Sequence, residues 1–165
     1  MGKHLRDAIK ILMEMLMGLS GKVESNVNMA FLALDKMDLK YAEEVIGKDE
    51  IIDEEEIKIE EECLKILALH QPVASDLRYL VTVMKMNNDL ERIGDLAQDI
   101  AVHVKRVSDF TMKKGKIDFK PMYNAVMEML QKSINSVVEM DKDMAFEVIK
   151  EDDFAMVVNE ISTQV

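Results

Sequence analysis

Apolar positions recur along this chain at alternating steps of three and four, the spacing of a helix packed along one face. The clearest run is Leu90, Ile93, Ala97, Ile100, Val104 and Val107, extended backward by Met86 and Val83. The pattern predicts three long helices before residue 110. The first runs over about residues 5–37, loosened at Gly18 and Gly21, and the second over about 42 (or 49) to 69. The third begins at Pro72, a good first-turn residue, and continues to about 107. Gln71-Pro72 leaves almost no loop, so helices two and three are expected to form a tight antiparallel hairpin. Three such helices can enclose a core.

Residues 108–121 break the pattern. They are polar, locally basic and end in Pro121, and they read as a linker. Helical spacing resumes with Met122, Val126, Met129, Leu130, Ile134 and Val137. The chain beyond the linker repeats part of the chain before it. With an offset of 103 residues, residues 37–49 lie over residues 140–152, and seven of thirteen positions agree without a gap. The match covers the turn between the first and second helix of each unit.

The expected architecture is therefore all-α, with tandem three-helix bundles. Residues 1–107 form a complete first bundle, 108–121 a linker, and 122–165 a second bundle truncated after about one and a half helices. Val165 corresponds to Glu62, inside the second helix of the unit. A helical hairpin without its third partner exposes apolar faces, so the expectation is a truncated chain or pairing with another chain as an oligomer.

Composition narrows the function classes. Fifteen Met and few aromatics leave a core of aliphatic and Met side chains, which fill irregular gaps. A net charge of −11 argues against sequence-independent nucleic-acid binding and against adsorption to an anionic membrane. The single cysteine, Cys63, excludes an internal disulfide framework and suits a reducing compartment, where it reads as a small buried apolar residue. No apolar run reaches the roughly 18–20 residues that span a bilayer. The apolar segment 11–17 is interrupted by Glu14 and lacks a cleavage pattern, so it reads as the start of an amphipathic helix in a cytoplasmic protein.

Candidate chemistry lies in the acids. Residues 49–62 hold nine acidic side chains against one lysine, most of them suited to a solvated face. Asp49 and Asp53 stand at i and i+4 on helix two, and Glu91 and Asp95 repeat that spacing on helix three. Like charges so placed destabilise an isolated helix by a few tenths of a kcal/mol, which a cation would offset. With the turn centred near 70.5, residue 49 lies opposite 92 and residue 53 opposite 88. The two pairs are then displaced by about 4.5 Å, less than a turn. Glu91 and Asp95 fall roughly opposite the apolar stripe, on the surface. Such a site suits a hard or borderline divalent cation with oxygen ligands. Asp99 is a weaker fifth candidate, and His103 continues the same row.

The stretches 69–78 (LHQPVASDLR) and 89–101 (DLERIGDLAQDIA), with 46–53 (IGKDEIID), closely resemble the signature of the PhoU family. The resemblance implies tandem three-helix bundles and a multinuclear iron or zinc cluster held by paired acid-x-x-x-Asp motifs, here Asp49, Asp53, Glu91 and Asp95. It further implies a negative regulator of phosphate uptake and phosphate-starvation signalling, not an enzyme. Its implied partners are the ATPase of the phosphate ABC transporter and a sensor histidine kinase. In the second unit Asp152 matches Asp49, but Met156 stands at the position of Asp53, so a second cluster is not expected. Two alternatives remain open. One is a metal-independent scaffold whose acidic face docks partners. The other is a di-iron carboxylate enzyme, disfavoured because no Glu-x-x-His motif occurs.

Overall fold

A computed structural model describes the backbone of residues 3–108 and 118–162 and the side chains of residues 4–108 and 118–152. Residues 109–117 of the expected linker, the side chain of Met156 and the end at Val165 lie outside the described residues. Among the described residues there are five helices and no strand: α1 (Lys3–Lys36), α2 (Leu39–His70), α3 (Ala74–Ser108), α4 (Lys120–Val138) and α5 (Lys142–Ser162). The chain divides into two compact units, Met1–Gly115 and Lys116–Val165.

In the first unit α1, α2 and α3 all pack on one another. Leu12, Leu16, Leu19 and Val23 of α1, Ile52, Ile59 and Ile66 of α2 and Leu80, Val83 and Leu90 of α3 are all buried and form its aliphatic core. Each such side chain contributes about 1.5–3 kcal/mol on burial. Toward the α1–α2 turn a further buried cluster joins the alanines Ala30, Ala33, Ala42, Ala97 and Ala101 with Met29, Val45 and Val104. Cys63 is buried, and burial pushes its thiol up to about 11, so it is inert packing at neutral pH.

Turn chemistry sets the element ends. α1 stops where Met37 turns left-handed (φ 51°) and the Asp38 N–H donates to the Ala33 carbonyl at 3.1 Å. Asp38 then caps α2, its Oδ1 accepting from the Lys40 N–H at 2.9 Å, so α2 begins at Leu39, earlier than the apolar spacing predicts. α3 starts later than predicted, at Ala74. Pro72 disfavours a helical Gln71, which turns left-handed (φ 43°) and closes α2 with its N–H on the Leu67 carbonyl. Gln71, Pro72 and Val73 thus form a three-residue connection.

The buried face of α3 is also rotated from the predicted stripe. Val83, Leu90, Ala97 and Val104 are buried as expected, but Ile100 is exposed, and Asn87, Gly94 and Ala101 take the remaining core positions. Gly94 explains the rotation. A Cβ there would lie 3.2 Å from both Cδ1 and Cγ2 of Ile52, so any larger residue would force Ile52 to give way by a few tenths of an ångström.

In the second unit α4 packs on α5 and buries Leu130, Ile134 and Ser136. Pro121 occupies the first turn of α4. Lys132 binds Glu128 on its own helix and Glu151 on α5.

Candidate metal centre

The seam between α2 and α3 carries the acids. The close approach at Gly94 sets the spacing, and the register follows from three pairings. Ile52 lies against Gly94. Asn87 on α3 donates its Nδ2 to both the backbone carbonyl and Oε1 of Glu56, each at 2.9 Å. Gln98 on α3 donates its Nε2 to Oδ2 of Asp49. Each residue of α2 therefore faces α3 a few residues further along than a turn centred at 70.5 would place it, because the connection is three residues long.

This register brings Asp49, Asp53 and Asp95 together. One carboxylate oxygen from each lies within 4.8 Å of the others, close enough for one ion to touch all three. Asp49 and Asp53 are half-buried and Asp95 is exposed, so the cluster opens to solvent on the α3 side. Glu91 is half-buried rather than fully on the surface, because the core face of α3 turns toward Asn87 and Gly94 and draws Glu91 into the seam. It stands beside the triad and not within it. Asp99 is exposed and also outside the triad. His103 turns its Nδ1 back to the Asp99 carbonyl at 2.7 Å, a contact within its own helix.

The electrostatics of the seam are those of like charges crowded into a partly buried site. Burial raises the Asp49 carboxyl above its ordinary value, and Asp53, Asp95 and Asp99 push in the same direction. Burial likewise raises Glu91, followed by Asp95, Asp53, Glu56 and Asp49. Glu56 is raised by burial and then by Glu60 and Asp53. All five candidates thus share one electrostatic neighbourhood. Oδ1 of Asp49 and Oδ1 of Asp53 are shielded from solvent and meet no hydrogen-bond donor among the described residues. Buried carboxylate oxygens without partners are costly unless something positive meets them.

Sequence reasoning missed Glu56, Asn87 and Gln98. Glu56 was hidden within the acidic run. An amide gives no charge or spacing signal, and Asn87 interrupts the apolar stripe although it is buried.

Fold and site together define a helical-bundle protein with a carboxylate cluster on the seam of one hairpin. The PhoU domain family model matches residues 16–104, over half of the 165-residue chain. The phosphate-specific transport system accessory protein PhoU homolog 1 of Thermotoga maritima is 36% identical over 132 residues, covering 79% of this chain and 57% of that protein. The PhoU homolog of Clostridium acetobutylicum is 37% identical over 139 residues, covering 84% and 64%. The crystal structure of PhoU from Pseudomonas aeruginosa superimposes with a TM-score of 0.86 at 31% identity, covering 96% of this chain and 79% of that one. PhoU from Streptococcus pneumoniae, a phosphate transport system regulatory protein, gives 0.80 at 28% identity, covering 90% and 70%. This chain belongs to the PhoU family. The family is one of regulatory accessory proteins of phosphate transport and not of enzymes. The chain spans 57% and 64% of the length of the Thermotoga and Clostridium relatives. None of the described helices is long and apolar enough to cross a membrane.

Proposed function

We propose that this chain is a metal-binding regulatory accessory protein of phosphate transport. It acts in the cytoplasm, as a homo-oligomer, as an adaptor between the ATPase of the phosphate ABC transporter and a sensor histidine kinase. Through these partners it restrains phosphate uptake and phosphate-starvation signalling, and it turns over no substrate. The observation that carries the metal reading is the convergence of Asp49, Asp53 and Asp95 within 4.8 Å, in a chain belonging to the PhoU family.

The residues present fit a cation. The donors are all oxygens, two of them buried without a partner, which suits a hard or borderline ion such as iron, manganese, magnesium or zinc with solvent completing the shell. Asp49, Asp53 and Asp95 would hold the first ion. Glu91 and Asp99 flank them and supply the extra carboxylates that a multinuclear iron or zinc cluster requires. When bound, the metal neutralises the repulsion between the acids. The two helices of the seam are then tied together, and the exposed α2 face keeps its remaining negative charge for docking.

Elemental analysis of the purified full chain tests this reading. Wild type is expected to retain transition metal, and Asp53→Asn with Asp95→Asn to lose it while keeping its helical circular dichroism. Equal metal in both proteins would count against these ligands. A second reading is favoured by the net charge of −11: the acids form a docking face for basic partners without any metal. Its distinguishing outcome is partner binding that survives both chelation and the carboxylate substitutions.

A further inference from the structure

Gln98 sits between Asp95 and Asp99 in sequence and is half-buried on α3. Its amide nitrogen crosses the seam to Oδ2 of Asp49. The other oxygen of that carboxylate, Oδ1, is buried and has no donor among the described residues. The two oxygens of Asp49 are therefore not equivalent. Oδ2 is engaged by an N–H, and Oδ1 is not.

We propose that Gln98 is a specificity-determining residue of the seam site, holding Asp49 to one-oxygen coordination and so selecting small divalent cations against Ca²⁺. This role rests on the reading of Asp49, Asp53 and Asp95 as cation ligands. The physical reason is geometric. Ca²⁺ takes six to eight oxygens in general and gathers them partly through carboxylates that bind with both oxygens. A carboxylate whose Oδ2 accepts an amide N–H loses that option unless the hydrogen bond breaks. Smaller ions in octahedral or tetrahedral shells need one oxygen per carboxylate and lose nothing. The amide also fixes the plane of the Asp49 carboxylate, as hydrogen-bonded partners of metal ligands commonly do.

The alternative role for Gln98 is a plain structural tie between α2 and α3, which would alter stability and not selectivity. Calorimetric titration of the metal-stripped full chain with MnCl2 and with CaCl2 separates the two. The proteins compared are wild type, Gln98→Met, Gln98→Leu and Asp49→Asn, with Gln98→Met also placed in the Asp49→Asn background. Circular dichroism checks that each is folded. Wild type is expected to prefer Mn²⁺. Gln98→Met and Gln98→Leu are expected to narrow the Mn²⁺/Ca²⁺ affinity ratio by about tenfold, the lower end for losing such a partner. In the Asp49→Asn background Gln98→Met is expected to leave the ratio unchanged. An unchanged ratio in both single variants, or a change that persists without the Asp49 carboxylate, overturns the role of Gln98 alone. Wild type that binds neither ion overturns the site itself, and this role with it.

Discussion

The turns at Met37-Asp38 and Met140-Asp141 are built alike, yet the units around them differ. In each, a methionine turns left-handed (φ 51° and 54°), and the aspartate N–H reaches back five residues, to Ala33 and to Ser136. In each, the aspartate side chain then caps the next helix, Asp38 through the Lys40 N–H and Asp141 through those of Asp143 and Met144. Beyond the turn the likeness ends. The first unit closes its core among α1, α2 and α3, whereas in the described part of the second α4 packs on α5 alone. Asp152, the sequence counterpart of Asp49, is exposed, while Asp49 is half-buried and tied to Gln98. A turn is encoded by the few residues that make it. An acid becomes a candidate ligand only when a third helix supplies the neighbours that desolvate and orient it.

The largest test of this contrast is Ile52→Ala. Ile52 is almost fully buried beneath Gly94, so its truncation should cost about 2–5 kcal/mol in denaturant unfolding followed by circular dichroism. Ile134→Ala, in the two-helix packing of α4 and α5, should cost clearly less. Equal losses would break the distinction between a closed unit and an open one. The caps test the shared part. Asp38→Ala and Asp141→Ala should each weaken the helix they cap by about 1 kcal/mol, measured as lost helicity and a lower unfolding midpoint. A loss confined to one of the two would mean that the turns are alike only in outline.

The smallest effect is with pH. Asp49, Glu56 and Glu91 are raised above ordinary values of 3.8 for the aspartate and 4.5 for the glutamates, chiefly by burial. The folded chain therefore holds these protons more tightly than the unfolded chain does. Stability of the metal-free protein should fall as pH rises from the ordinary range through the raised values. Glu55, lowered by its side-chain hydrogen bond to Lys22, acts in the opposite sense, but one such group opposes three. Thermal unfolding of the metal-stripped chain across the acid range up to neutrality should show the decline, and Mn²⁺ should remove it near neutral pH. A metal-free protein that gains stability over that range would show that burial and mutual repulsion do not raise the seam carboxylates.

The periodicity of α3 made the helix legible, and Val83, Leu90, Ala97 and Val104 fall inside as that period requires. It misplaced the centre of the buried face, because a pattern of apolar residues cannot register Asn87 and Gly94 as core positions. Gly94 is inside because Ile52 of α2 leaves little room for even a methyl group, a property of the pair of helices and not of either alone. The acids at Asp49, Asp53 and Asp95 could be singled out because i, i+4 spacing and hairpin symmetry are local arithmetic. Which of them converge could not, since that depends on a connection of three residues instead of almost none. Gln98 was illegible for the same reason: its partner is chosen by register.

The most direct measurement is a crystal structure of the metal-loaded full chain, with anomalous scattering recorded across the iron and zinc edges. Shared coordination by the seam predicts at least one anomalous peak about 2.0–2.6 Å from carboxylate oxygens of Asp49, Asp53 and Asp95. Metal found elsewhere on the chain, with these three carboxylates bare, would contradict it.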